Sequence, residues 1–229
     1  MGLPGSDTVS QREKMVSRQI EGRGIYDTAL LSAMREVPRE AFVSEKYQDF
    51  AYHDGPLPIL ENQTISQPYV VALMIEALGL KPNDRVLEIG TGSGYAAALL
   101  SRVAAEVYTV ERINALVQFA VKNIASLGYD NVFVHSGDGT LGWPEYEPYQ
   151  GIIVSAGGPR VPADLKEQLA IGGHLVIPVG KEQRSQQLVR LTRVSDKEFK
   201  ERKMGLVRFV PLIGKQGWEK EENRWFGLF

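Results

Sequence analysis

The chain contains no cysteine. That absence excludes a disulfide framework, a thiolate metal site, a cysteine nucleophile and a dithiol redox motif. It also fits a reducing compartment, and the cytoplasm is the expected location. Histidine is scarce. His53, His135 and His174 are the three present, and they show no i, i+4 spacing, so no metal centre is expected. Neither sign of charge dominates: Lys and Arg total 26 against 28 Asp and Glu, a net of −2. The basic domain or stripe that marks a nucleic-acid partner is missing, and the charged run from Lys197 to Lys203 reads as a solvated loop or strand edge. Long apolar runs are lacking too. Nothing approaches the ~18–20 residues that span a bilayer, so no membrane partner is expected. The opening Met1-Gly-Leu-Pro-Gly-Ser6 has neither the basic nor the apolar region of a secretory signal. It matches the loose Met-Gly-x-x-x-Ser/Thr acylation pattern, but no polybasic second anchor follows, and a floppy N-terminus is the expected state.

What is present suffices for one domain. A chain of 229 residues, 43% of them hydrophobic, buries roughly 70–75% of its unfolded surface on folding. The expected organisation is a single unit. It has a flexible stretch at 1–12, an N-terminal helical segment at 13–80, an α/β core at 84–180, and strands with a tail at 185–229. In the helical segment Met15, Ile20, Ile25, Leu30, Leu31, Met34 and Val37 line the apolar faces of two short helices. Gly22 and Gly24 break the segment, and Asp27 or Thr28 caps the second helix. Asp54-Gly-Pro-Leu-Pro58 reads as a turn or extended stretch, because each proline fixes its own φ and pushes its predecessor out of the α region.

From Asp84 onward strand-like and helical runs alternate. Strands are expected at 85–89, 106–110, 131–135, 151–154 and 174–179. Helices are expected at 95–103, 114–127 and 163–169. Residues 187–194 and 206–212 read as antiparallel strands at the far edge. This alternation predicts an α/β fold: a doubly wound, mostly parallel sheet with helices on both faces, of the Rossmann-like type. Such folds bind ligands at the carboxyl ends of the strands.

One such end carries Glu88-Ile-Gly90-Thr-Gly92-Ser-Gly94. The dinucleotide fingerprint needs Gly or Ala where Tyr95 stands, and no Gly-Lys-Ser/Thr follows to make a P-loop. Glu88 places a carboxylate at the turn, which repels a pyrophosphate and attracts a cationic, phosphate-free ligand. S-adenosylmethionine carries a sulfonium, an ammonium and an adenosine, and it is the expected cofactor. Glu111 ends the second strand, about 20 residues past the loop, where a carboxylate accepts ribose hydroxyls. Asp138-Gly139 follows the third strand, in reach of the adenine amino group. The Asn/Asp-Pro-Pro-Tyr/Phe amino-group clamp of many nucleic-acid methyltransferases is missing after the fourth strand, where Val154-Ser-Ala-Gly-Gly-Pro159 stands.

From about Ser10 to Trp218 the sequence resembles the protein-L-isoaspartate O-methyltransferase family. The motifs that carry the resemblance are Asp54-Gly-Pro-Leu-Pro-Ile59, Gln63-Thr-Ile-Ser-Gln-Pro68, Val86-Leu-Glu-Ile-Gly-Thr-Gly-Ser-Gly-Tyr95, Val110-Glu-Arg112, Gly137-Asp-Gly139, Gly172-Gly173 through Pro178-Val-Gly180, and Arg208-Phe-Val-Pro-Leu212. The Thr-Ile-Ser and Phe-Val-Pro-Leu stretches are the specific ones. The resemblance implies methylation of isoaspartyl residues in aged proteins and peptides, with S-adenosylmethionine as donor. It implies Ser66 at the active site, and Thr64, Ile65, Glu88, Gly90, Gly92, Glu111, Asp138 and Gly139 around the cofactor. It also implies Val210 and Pro211 against the substrate peptide. The chain departs from the family at Leu60-Glu-Asn-Gln63, where glycine is usual. A left-handed backbone there is tolerated at Asn62 and strained at Leu60.

Two other classes fit parts of the pattern. A methyltransferase acting on a small molecule or RNA has the same loop and acids, and a non-catalytic domain of this fold binds isoaspartyl peptides without turnover. Ser66 has a second reading as the N-cap of the helix that follows.

Overall fold

The computed structural model describes residues 4–182 and 185–219. Gly2 of the acylation pattern and the charged, aromatic tail beyond Glu219 lie outside the described residues. The stretch expected to be flexible is helical from its first described residue: α1 spans Pro4–Met15 and runs on through a π-turn at Val16–Ile20, whose Val16 and Ile20 are buried. Gly24, at φ 92°, ends this segment in the left-handed region that glycine alone enters without penalty. Asp27 then caps α2 (Thr28–Glu36), its carboxylate accepting from the Leu30 N–H at 2.9 Å.

Two short antiparallel pieces, β1 (Leu57–Pro58) and β2 (Thr64–Ile65), follow and lead into α3 (Pro68–Leu78). Proline at the first helical position costs no hydrogen bond there. The N-cap of α3 is Gln67, and no side chain caps it. Ser66 therefore is not the cap: the turn into the helix comes one residue later, set by Pro68. Pro68, Val71, Ala72, Met74, Ile75, Ala77 and Leu78 of α3 are buried, while Tyr69, Val70 and Leu73 are half-buried. The helix packs on the sheet on one side and on α2 and the π-turn on the other.

The rest is the expected alternation: β3 (Arg85–Ile89), α4 (Tyr95–Leu100), β4 (Glu106–Glu111), α5 (Asn114–Ser126), β5 (Val132–Ser136), β6 (Tyr149–Val154), α6 (Ala163–Glu167), β7 (Leu169–Glu182), β8 (Ser185–Arg193) and β9 (Phe199–Val207). The seven-stranded sheet has the order β5-β4-β3-β6-β7-β8-β9. Strands β3 to β7 run parallel, and β8 and β9 are antiparallel. The order reverses beside β3, whose carboxyl end is the topological switch point. Period-two alternation divides the core: Val86 and Val107 face the layer of α1 to α5, while Leu87, Ile89 and Val110 face α6 and the loops before β6.

The last strand is shifted from the expected 206–212. It is β9, built on the charged run, which is a strand edge as one of its two readings has it. Lys200, Glu201, Arg202 and Lys203 are exposed, yet their backbones pair with β8. Side chains 200–203 of this edge strand face solvent, so charge costs it little there, and charge blocks further pairing along the open edge. Residues 208–212 leave the sheet and cross its carboxyl rim. Phe209 N donates to Gln186 Oε1 at 2.8 Å, and Gly157 N to the Val210 carbonyl at 2.8 Å.

Candidate active site

The strand ends converge on a cleft of about 840 Å³, its open mouth included. One wall is the β3–α4 turn. Gly90, Gly92 and Gly94 all take positive φ, at 92°, 56° and 91°, so the chain folds back in four residues without strain. Asn123 of α5 holds the turn by donating to the Ser93 carbonyl at 3.0 Å.

Glu88 lies beneath this turn, 1% exposed. Its Oε2 accepts from Thr109 Oγ1 at 2.7 Å, and Thr91 Oγ1 lies 2.6 Å from the same hydroxyl. With Thr109 donating to the carboxyl, Thr91 donates to Thr109. The other oxygen, Oε1, is buried and has no partner. Burial raises the Glu88 pKa from the ordinary carboxylate range to about 8, and the Glu111 charge adds to the rise against the Thr109 hydrogen bond. At neutral pH the carboxyl is therefore mostly neutral until a cation arrives. Glu111, at the end of β4, is oriented by two backbone donors: Gly92 N on Oε2 at 3.1 Å and Ile113 N on Oε1 at 3.0 Å. Each oxygen keeps a second lone pair.

Gly139 forms the floor. A Cβ there would sit 2.4 Å from Ile89 Cγ2, so only glycine permits this approach. Its neighbour Asp138 does not line the cleft. Oδ1 of Asp138 accepts from Thr140 N and Thr140 Oγ1 at 2.9 and 2.7 Å, and Oδ2 accepts from Lys215 N at 2.7 Å. An Asp-Gly pair after a strand reads equally as ligand or as cap; here Oδ1 caps the turn at Gly139–Leu141, while Oδ2, with one donor, keeps a second lone pair.

The opposite wall is Gln63, Thr64, Ile65 and Ser66 with Val210, Pro211, Leu212 and Ile213. It brings together all the remaining expected residues. The strained position in the preceding turn is not Leu60. Glu61 and Asn62 take the left-handed conformation, at φ 57° and 55°. The turn is closed by hydrogen bonds from Gln63 N to the Leu60 carbonyl and from Ile59 N to the Gln63 carbonyl. Sequence reasoning missed several residues here. Tyr95, Val71, Ser155 and Ala156 also line the cleft, and Arg39, entirely buried, donates through Nη2 to the Ser66 carbonyl at 2.8 Å. Nothing in Pro38-Arg39-Glu40 marks that arginine as buried, because charged residues in short helices are normally solvated. None of the three histidines lines the cleft, and His174 is engaged with Thr192 Oγ1 at 2.9 Å.

The family described as protein-L-isoaspartate(D-aspartate) O-methyltransferase matches residues 10–217. The chain belongs to this family. A protein-L-isoaspartate O-methyltransferase of Rhodopseudomonas palustris is 57% identical over 208 residues, covering 91% of this chain and 95% of the relative. That of Marinobacter nauticus is 55% identical over 218 residues, covering 95% of this chain and all of the relative. Among solved structures, one protein-L-isoaspartate O-methyltransferase matches with a TM-score of 0.82 at 34% identity, over 90% of this chain and 67% of that one. A β-aspartate methyltransferase of Plasmodium falciparum, solved with S-adenosyl-L-homocysteine, matches with a TM-score of 0.76 at 26% identity, over 88% of this chain and 98% of that one. The family's isoaspartate methyltransferase fold thus extends over the cleft and both its walls. Among the described residues no helix is long and apolar enough to cross a membrane, and no cluster of acids and histidines is arranged to hold a metal.

Proposed function

We propose that this chain transfers the methyl group of S-adenosylmethionine to the free α-carboxylate of L-isoaspartyl residues in proteins and peptides, the first step in their repair. The observation that carries the reading is the pairing of a cleft built for a cation with an acceptor wall that holds a lone serine and no base. The cleft fits the cofactor on its own terms. A buried carboxyl oxygen of Glu88 lacks a partner, Glu111 offers free lone pairs beside a glycine turn, and Gly139 leaves space no other residue would leave. Glu88 and Glu111 are the proposed partners of its cationic and ribose groups, with Thr64, Ile65, Gly90, Gly92 and Gly139 packing around it. When bound, the cofactor supplies an electrophilic methyl on sulfonium.

The residues of the chain then need only align and shield. An isoaspartyl α-carboxylate has a reference pKa near 4 and is ionised at neutral pH, so no general base is required. That agrees with a cleft free of histidine. Ser66 Oγ, which makes no hydrogen bond within the described protein, donates to the acceptor carboxylate and fixes its attack direction. Val210 and Pro211 hold the peptide backbone at the mouth. Burying two opposite charges that neutralise each other on reaction rewards exclusion of water, and alignment supplies much of the rate. The methyl ester then closes to a succinimide by its own chemistry. The proposed location is the cytoplasm, since a chain without cysteine needs no oxidising compartment.

Labelled methyl transfer to paired peptides, identical except for isoaspartyl or aspartyl at one position, tests this directly. Label on the isoaspartyl peptide alone is the expected result. Label on RNA or small molecules but on neither peptide makes the chain a different methyltransferase. Binding of the isoaspartyl peptide without transfer makes it an adaptor.

A further inference from the structure

We infer that Arg39 is a positioning residue for methyl transfer: its buried guanidinium holds the Ser66 backbone, and through it the acceptor carboxylate. The inference deepens the proposed function and rests on Ser66 lying at the acceptor side.

Arg39 is 0% exposed. Arginine is seldom found fully buried without a carboxylate partner, yet both its hydrogen bonds go to backbone carbonyls. Nε donates to Ala51 O at 2.8 Å, and Nη2 donates to Ser66 O at 2.8 Å. The guanidinium lies over the ring of Tyr95, 4.8 Å from its centroid. Tyr95 opens α4 directly after the glycine turn and lines the cleft. One planar group therefore touches three segments: the loop before β1, the acceptor residue itself, and the start of the cofactor turn's helix.

The location explains why a charge is used there. Ser66 lies between a two-residue strand and a helix that begins at Pro68, so regular backbone pairing does not fix its carbonyl. A proline two residues later also removes one local donor. A fork of fixed geometry holds two carbonyls in register, which a flexible ammonium does not do. Because displacement of about 1 Å in an attacking group costs roughly a hundredfold in rate, a tether on the acceptor residue acts on turnover and leaves cofactor affinity alone. A purely structural arginine has no such selectivity.

The experiment uses the full chain and begins with the parent on an isoaspartyl peptide; failure at that step defeats the proposed function, not this assignment. Arg39→Lys keeps the charge and loses the fork. The expected result is a fold intact by thermal melting, kcat down about tenfold, and S-adenosyl-L-homocysteine affinity within twofold. Arg39→Gln, which leaves no buried charge, serves if the lysine variant does not fold, with the same expectation. Val37→Ala, a buried neighbour outside the cleft, is expected to lower stability while keeping kcat. The deciding arm is a cycle with Ser66→Ala. If Arg39 acts through Ser66, the two losses overlap, and the double variant is within about twofold of Ser66→Ala alone. A lysine or glutamine variant with parental kcat overturns the assignment. So does a full tenfold further loss in the Ser66→Ala background, or an equal loss of kcat in Val37→Ala.

Discussion

The two walls of the cleft are built by different means. The cofactor wall is an extension of the sheet. Glu88 and Glu111 sit at the ends of paired parallel strands, the glycine turn between them follows from backbone geometry, and backbone N–H groups aim the Glu111 carboxylate. The acceptor wall has almost no regular structure. It consists of two two-residue strands with a left-handed turn, held from inside by Arg39 and from outside by Arg23, and of the segment 210–213 that crosses the rim of the sheet. Arg23 pairs with Asp54 at 3.1 Å and stacks over Tyr69 at 3.6 Å. Asp54 in turn accepts from Gln67 Nε2 at 2.6 Å. The outer tie is exposed and worth little by itself; the inner one is buried and cannot be loosened without stranding polar groups.

The difference implies that one wall tolerates side-chain changes that the other does not, and that their failures separate. Damage to the cofactor wall shows as altered charge balance and affinity. Damage to the acceptor wall shows as lost turnover.

The largest effect expected is on the cofactor wall. Glu88 has a folded-state pKa raised to about 8 by burial, above its unfolded value, so the folded protein binds the extra proton between about pH 4.5 and 8. Stability then falls as pH rises through that window, by up to about 1.4 kcal/mol per pH unit, and levels off above it. Glu88→Gln removes this slope. Thermal melts of the two proteins without cofactor, from pH 5 to 9, give the comparison: parallel curves leave Glu88 ionised throughout and defeat the prediction. Binding of a cationic cofactor near neutral pH releases the proton, which calorimetry in two buffers of different ionisation enthalpy reads as a buffer-dependent heat.

Next come the two substitutions that split affinity from rate. Ser66→Ala removes one hydrogen bond to a charged acceptor, worth about 1.5–3 kcal/mol, so kcat drops roughly ten- to hundredfold with cofactor affinity unchanged. Glu111→Ala removes the ribose acceptor and leaves Gly92 N and Ile113 N without a partner, which costs about 1–3 kcal/mol in cofactor affinity. If the two variants lose affinity and rate in the same proportion, the walls are not separate devices.

Legibility follows the same division. Strand periodicity locates β3 and β4, so their terminal acids stand out in the sequence alone, and that is why Glu88 and Glu111 are found where expected. Asp138 is equally visible, and it bonds to Thr140 and Lys215 beside the cleft-lining Gly139; residue type alone does not separate a cap from a ligand. On the acceptor wall periodicity is silent. Ser66 is marked by resemblance, and Arg39 by nothing, since its burial depends on three segments meeting far apart in sequence. The same silence shifts β9: a charged run predicts exposure correctly but does not decide between a loop and a paired edge strand.

The smallest effect expected sharpens the contrast from the acceptor side. Glu61 holds φ 57° and ψ 33° in the turn before Ser66, a conformation that costs a residue with a Cβ about 1–2 kcal/mol. The cofactor wall meets the same demand with glycine at all three of its left-handed positions; this turn does not. Glu61→Gly relieves the strain but adds chain entropy to the unfolded state, so the net gain is about 1 kcal/mol or less. For a domain of this size that is a rise in melting temperature of roughly 2–4 °C at most. If the strain serves to hold the turn rigid, the stabilised variant binds the isoaspartyl peptide more weakly, and KM rises while cofactor affinity stays put. A variant that melts higher with unchanged KM shows the strain to be incidental. A variant that melts lower shows that the Glu61 side chain or the entropy of the unfolded chain outweighs the backbone, and that the left-handed turn is held in place by its neighbours.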